Sequence, residues 1–195
     1  MLITKTNPTG IDLKIQQFQT DLHNRLMELW GLDKNDADEN KLFECYGRAY
    51  RNRKDTGYVA EIFNGTEYKD VYWNDSLNAI SFFGISDKTD IIANNQTDVH
   101  LVVFVDLKKL ALKDSSNTLI AHRADNEVRN QVQNIIGRSM YGFSLNSIET
   151  GIANVLKEYP GSYRDTRLKN VDMHPVHCFR LNFSIEFDIN NNCTP

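Results

Sequence analysis

The stretch 174–189, HPVHCFRLNFSIEFDI, sets the frame for the whole chain. Its odd positions from 179 on are Phe179, Leu181, Phe183, Ile185, Phe187 and Ile189. The even ones are Cys178, Arg180, Asn182, Ser184, Glu186 and Asp188. Side chains on a strand point alternately to the two faces of a sheet, so this alternation predicts one apolar and one polar face. About 13 residues at about 3.3 Å each extend roughly 43 Å, longer than the usual strand of about 3–10 residues. Such a strand bends across its domain or projects from it, and its polar face meets water, a lumen or a partner.

Upstream, VHLVVFVDL (99–107) is nearly continuously apolar and β-branched, which predicts a strand covered on both faces. Between these strands, Ala124 or Asp125 opens a helix with Val128, Val132, Ile135 and Ile136 on one face, ending at Gly137. A further helix is predicted from near Ser144, carrying Leu145, Ile148, Ile152, Val155, Leu156 and Tyr159 and stopped by Pro160. At the other end, Thr9 and Asp12 make a capping start. Ile11, Ile15, Phe18, Leu22, Leu26 and Leu29 then trace one helical face as far as Trp30, before Gly31.

The middle of the chain changes character. Asp33 to Asn40 is an acidic, polar loop, and the aromatic and β-branched runs 42–50, 57–63 and 67–73 predict a three-strand meander. Its turns fall at Asp55-Thr56-Gly57 and at Asn64-Gly65, a strong hairpin signal. ISFFGI (80–85) fits a short strand or a helical turn equally, and 86–98 is a polar exposed loop. The pattern predicts a single α+β domain over 1–195, a mostly antiparallel sheet with three amphipathic helices. Residues 31–98 form an inserted or extended meander region, and 190–195 a flexible tail.

Composition excludes several classes. With 26 acidic against 22 basic residues the net charge is -4, which argues against sequence-independent nucleic-acid binding as the main role. No apolar run is long enough to span a bilayer, and 1–10 lacks the apolar core of a signal peptide. Cys45, Cys178 and Cys193 form no CxxC, so neither a disulfide framework nor a zinc ribbon is expected, and a reducing compartment follows.

No catalytic, cofactor or metal motif is legible. His174 and His177, three apart on a strand, point to opposite faces and do not share a metal. Pairing Cys178 with His174, or Cys45 with His100, needs an oxyanion site that no local signature supplies. Asp33, Asp36, Asp38 and Glu39 lack the glycine and closing glutamate of a calcium loop. The most function-like cluster is Arg48, Arg51, Arg53 and Lys54, interleaved with Tyr46, Tyr50 and Tyr58: a basic, aromatic hairpin able to touch phosphate or an acidic partner.

The order helix, meander, central strand, two amphipathic helices and long C-terminal strand resembles the neck and tail-completion proteins of tailed bacteriophages. These are tail terminators and head-to-tail connectors, with ring proteins of crAss-like podoviruses the nearest guess. The likeness rests on VHLVVFVDLKKL followed by EVRNQVQNIIG and IETGIANVL, and on HPVHCFRLNFSIEFDI as a closing strand. It implies a two-layer, tail-terminator-like domain and a non-enzymatic virion component made in the host bacterial cytoplasm. Its partners would be its own copies in a ring, neighbouring neck and tail proteins, and DNA passing without sequence-specific contact; no membrane is implied. Arg180, Asn182, Ser184, Glu186 and Asp188 would then be a lumen or interface face, with Glu186 and Asp188 repelling DNA. The alternative is an intracellular adaptor docking a protein through the basic hairpin or a helical face. A third class, an enzyme using Cys178, His174 and a carboxylate, is disfavoured. Residues 31–40 and 86–98 are expected to order on contact.

Overall fold

The computed structural model describes residues 1–90, 96–113, 116, 119–137, 144–164 and 173–186. Its frame is a six-stranded sheet in the order β1-β2-β6-β7-β11-β10. These strands are β1 (Leu2–Ile3), β2 (Phe43–Arg48), β6 (Ala79–Asp90), β7 (Gln96–Asp106), β10 (Ser144–Thr150) and β11 (Val176–Glu186). β1 and β2, and β2 and β6, pair parallel; the other neighbours pair antiparallel. A second sheet joins β3 (Tyr50–Lys54), β4 (Gly57–Phe63) and β5 (Tyr68–Asp70), and β8 (Ala111–Lys113) pairs with β9 (Leu119–His122). Five helices complete the described chain: α1 (Gly10–Leu29), α2 (Ala37–Asn40), α3 (Asp125–Gly137), α4 (Ile152–Val155) and α5 (Pro160–Arg164).

The two long helices lie where the periodicity places them, on one face of the sheet. Ile15, Phe18, Leu22 and Leu26 of α1, with Val128, Val132 and Ile136 of α3, pack onto Phe83, Leu101, Val103, Phe179, Leu181 and Phe183. Each such side chain contributes about 1.5–3 kcal/mol on burial. Polar contacts fix the two helices: Trp30 Nε1 donates to Gln131 Oε1 at 3.1 Å, and buried Arg123 donates to the Leu29 carbonyl at the open C-terminus of α1. Gln19, fully buried, donates to the carbonyls of Ile3 and Cys45 at 2.6 and 2.7 Å, tying β1 and β2 to α1.

The opposite face is also covered, so the domain has three layers where two were expected. Ile80, Phe82, Val102, Phe104 and Cys178 lie under Ala60, Ile62 and Val71 of the meander and under Val155, Leu156 and Tyr159. This third layer explains why β7 is apolar on both faces.

Five further expectations are corrected. The run from Ser144 to Tyr159 is not one helix: 144–150 pairs as β10 with β11, Gly151 turns at φ 83°, and only one turn of α4 follows. Leu145 and Ile148 match helical spacing by accident, because the free edge of β11 gives this segment a ladder to join. Pro160 opens α5 rather than ending a helix, at a position where its missing N–H costs nothing. The run 42–50 is split: Phe43–Arg48 enters the main sheet, and the three-strand meander begins only at Tyr50. Residues 86–90 and 96–98, expected in a loop, belong to strands β6 and β7; 91–95 lie outside the described residues. Finally, β11 is an interior strand of 11 residues, paired along its length with β7 and over Phe179–Ser184 with β10. Over those six residues it has no free edge with which to extend its sheet across a subunit boundary. The tail 190–195 lies outside the described residues.

Of the region 31–98, β2 and β6 are integral to the main sheet, while 50–70 forms the separate small sheet. Among the described residues no helix is long and apolar enough to cross a membrane.

Candidate functional site

The basic hairpin is built as the Asp-Thr-Gly turn predicts, with Lys54 opposite Gly57, whose φ of 117° suits glycine. Its charges are divided between two tasks. Arg48 lies 3.4 Å from the Asp12 carboxylate and 4.8 Å from the Tyr50 ring centre. The Tyr50 hydroxyl accepts from Lys5 Nζ at 2.7 Å and donates to Asp12 at 3.3 Å. Arg48 and Tyr50 therefore fasten the meander to α1. Arg51, Arg53 and Lys54 are exposed, with Arg51 5.3 Å over the Tyr58 ring and Lys54 3.5 Å from Asp70. Tyr58, 44% exposed, shares the Arg51–Arg53 face of the meander with Ala60 and Ile62, whereas Tyr68, 47% exposed, stands opposite Phe63 on the other face, and Tyr72, 49% exposed, follows β5.

The polar face of β11 behaves differently from the open face the alternation implied. Cys178 and Arg180 are buried, Asn182 and Ser184 half-buried, and only Glu186 is exposed; Asp188 lies outside the described residues. The reason is the third layer, which reaches over the first half of the strand. Arg180, 3% exposed, is gripped by Glu158 through both terminal nitrogens and donates from Nε to Asn182 Oδ1 at 2.6 Å. Asn182 donates onward to Ser147 and Glu149 at 2.9 and 3.0 Å, and Glu149 takes Lys157 Nζ at 2.8 and 3.1 Å. Ser184 donates to Asp98 at 2.7 Å and accepts from Asn146 at 3.0 Å.

These groups line a cavity of about 230 Å³ beside Arg180. His100, opposite Asn182 on β7, forms part of its wall and is 1% exposed. Its ring lies over Gly84 of β6, where a Cβ would stand 2.1 Å from Nε2; glycine at that position is what admits the imidazole. Neither ring nitrogen has a hydrogen-bond partner among the described residues. Burial, reinforced by the nearby Arg180 and Lys157 charges, pushes the His100 pKa well below its ordinary value, so the ring is neutral near pH 7.

The other sequence candidates are not brought together. Cys45 packs on the helix-side face, whereas His100 faces the other side of the sheet, so that pair does not form. The Cys45 thiol, fully buried beneath Ser81, is pushed up to about 12 by burial. Cys178 is buried while His174 is exposed. Among the described residues, no three or more of His, Cys, Asp and Glu are grouped to hold a metal ion. The cavity residues Asp98, Glu149 and Glu158 escaped the sequence reading, and His100 entered it only as a partner for Cys45. The one visible signal was a lone histidine inside the apolar run 99–107.

No protein-family model matches the chain, and the searches of curated proteins and of solved structures return no match.

Proposed function

We propose that this chain is a non-enzymatic structural subunit of a tailed-bacteriophage neck or tail, assembling as a homo-oligomeric ring that joins head to tail around passing DNA. The observation that carries the assembly role is the exposed surface of the meander. Half-exposed Tyr58 beside Arg51 and Arg53 on one face, with Tyr68 on the other and Tyr72 just beyond β5, gives it the composition enriched in association hot spots. Because β10 covers the middle of β11, from Phe179 to Ser184, the meander rather than the closing strand is the surface a neighbour would engage. The phage setting rests on the resemblance of VHLVVFVDLKKL, EVRNQVQNIIG and the closing strand; the second helix of the expected pair is replaced by β10 and the short α4.

Light scattering coupled to size exclusion, with negative-stain images at the highest concentration, tests the ring. A closed multimer with a central hole, dispersed by Tyr58→Ala with Tyr72→Ala, is the expected result. A strict monomer at every concentration, alone and with purified neck proteins, would overturn it. The second reading is an adaptor that docks an acidic protein through Arg51 and Arg53, which lie two apart on one strand and are both exposed. In that case the protein stays monomeric, and R51A/R53A loses its partner with the fold intact.

A further inference from the structure

We infer that the Arg51–Arg53–Tyr58 face of the meander docks a second copy of this chain, through the acidic lobe Asp33–Glu39 that precedes β2. The inference rests on the assembly reading above and names the surface of the neighbour that the meander meets.

Charge is unevenly placed along the chain. Residues 48–54 carry Arg48, Arg51, Arg53 and Lys54 with no carboxylate, and 33–39 carry Asp33, Asp36, Asp38 and Glu39 against Lys34 alone. With a net charge of -4, two copies repel in most orientations. The approach of hairpin to lobe is the orientation in which repulsion turns to attraction, and complementarity of this kind selects both partner and register. Arg48 is spent on Asp12 and Lys54 on Asp70. Arg51 and Arg53, two apart on β3, present their charge at the surface, with Tyr58 directly opposite Arg53 on β4. Duplex DNA fits this face less well, because the charge of the whole chain opposes it.

The lobe is shaped before any neighbour arrives. Asp36 caps α2 by accepting from the N–H groups of Asp38 and Glu39 at 2.8 and 3.0 Å. Asp33 accepts from Asn35 N–H at 2.8 Å, and Glu39 accepts from Asp33 N–H at 2.6 Å. A surface held in this way loses little ordering entropy on docking. The Asp38 side chain is 95% exposed, and its ion pair among the described residues is a 3.3 Å contact with Lys41. The lobe and the hairpin of one protomer are held apart by the fold. Leu42 N–H bonds to the Glu39 carbonyl, so the lobe leads directly into the start of β2, whereas the hairpin leaves the far end of that strand after Ala49. The six residues of β2 extend about 20 Å between those ends. Opposite charges at opposite ends of one strand are placed to meet between copies. Since the two surfaces differ, the contact is head-to-tail: it repeats from copy to copy and closes into a ring where the rotation allows.

The test is sedimentation velocity of the full chain over a wide concentration range, at about 25 mM and about 500 mM sodium chloride, which screen surface charge weakly and strongly. The expected result is concentration-dependent association, weakened about ten-fold at the higher salt. R51E/R53E and D33K/D38K should each stay monomeric with the circular dichroism of wild type, since all four side chains are exposed. The single variants Arg53→Glu and Asp38→Lys replace a double variant that loses its fold. Mixed in equal amounts, the two charge-reversed chains should associate again, because each offers the other an opposite charge at both surfaces. Unchanged association in either variant, a mixture that stays monomeric, or a wild-type chain that is monomeric at every concentration would overturn the contact. A random-sequence duplex bound by wild type and lost in R51E/R53E, with self-association intact in that variant, would assign the face to nucleic acid and overturn it too. The ring reading fails by different results. Open chains broken by the variants keep this contact and remove the ring, and a closed ring indifferent to the variants does the reverse.

Discussion

Removing Glu158 should destabilise the protein more than removing Arg180, and removing both should cost less than removing Glu158 alone. Arg180 is 3% exposed on an interior strand, and its fork is filled by a Glu158 side chain that is 17% exposed. Glu158→Met leaves a guanidinium buried with one remaining acceptor, Asn182 Oδ1. Breaking a buried pair from one side costs about 3–5 kcal/mol. Partial hydration of the cavity places the expected value near the lower end, about 3 kcal/mol. Arg180→Met frees a glutamate that can turn toward water, so about 1 kcal/mol is expected, mostly the lost bond to Asn182. The double variant replaces the pair with apolar volume and should lie within about 1–2 kcal/mol of wild type. The coupling is then about 2–3 kcal/mol. Urea unfolding at pH 7 measures all four corners, and in a chain of this size 3 kcal/mol corresponds to a melting shift of roughly 6–12 °C. Because the pair is buried, 0.5 M sodium chloride should leave the coupling nearly unchanged. A Glu158→Met cost under about 1 kcal/mol, or single effects that add to give the double, would refute a buried, interdependent pair.

Other outcomes follow from the same geometry. Gly84→Ala should cost about 1–3 kcal/mol by overpacking, since its Cβ would meet the His100 ring and the Tyr159 hydroxyl at 2.1–2.5 Å; adding His100→Ala should recover part of it, as read by urea midpoints. Stability should fall on acidification. Buried His23, lowered to about 4 chiefly by desolvation, and His100 both stay neutral when folded and bind protons when unfolded. Their contribution is complete above pH ~6.5 and lost progressively below it, so urea midpoints should drop from pH 7.5 to 4.5, and less so in His23→Leu. In a Cys193→Ser background, alkylation of Cys45 and Cys178 should be slow in the native protein and accelerate only with global unfolding, because both thiols are buried. Rapid native labelling of Cys178 would revive the nucleophile reading.

Much of the fold lay within reach of local pattern. The 3.6-residue recurrence in 11–30 and 125–137 is generated by one apolar stripe facing one sheet, and both helices appear there. The alternation in 179–185 and the unbroken apolar run at 101–105 likewise dictated strands, since each is the direct trace of which faces are buried. Failures came where a segment's state depends on what it meets. Residues 144–150 carry few apolar side chains and adopt a strand because β11 offers them an open ladder, a fact encoded more than 30 residues away. The split at Ala49 is similar: its N–H bonds to the Phe83 carbonyl as the chain leaves one sheet for the next.

The site was harder still. Arg51, Arg53 and Lys54 were legible because a turn places neighbours in sequence side by side. The sequence by itself determined the periodicities, the basic hairpin and the long closing strand, since each depends on spacing within one element. Only the tertiary structure decided that the polar half of that strand is partly buried, that Glu158 reaches Arg180, and that Gly84 makes room for His100. Those contacts join residues separated by 16 to 22 positions or more, and register across a sheet is fixed by packing of the whole core rather than by any local run.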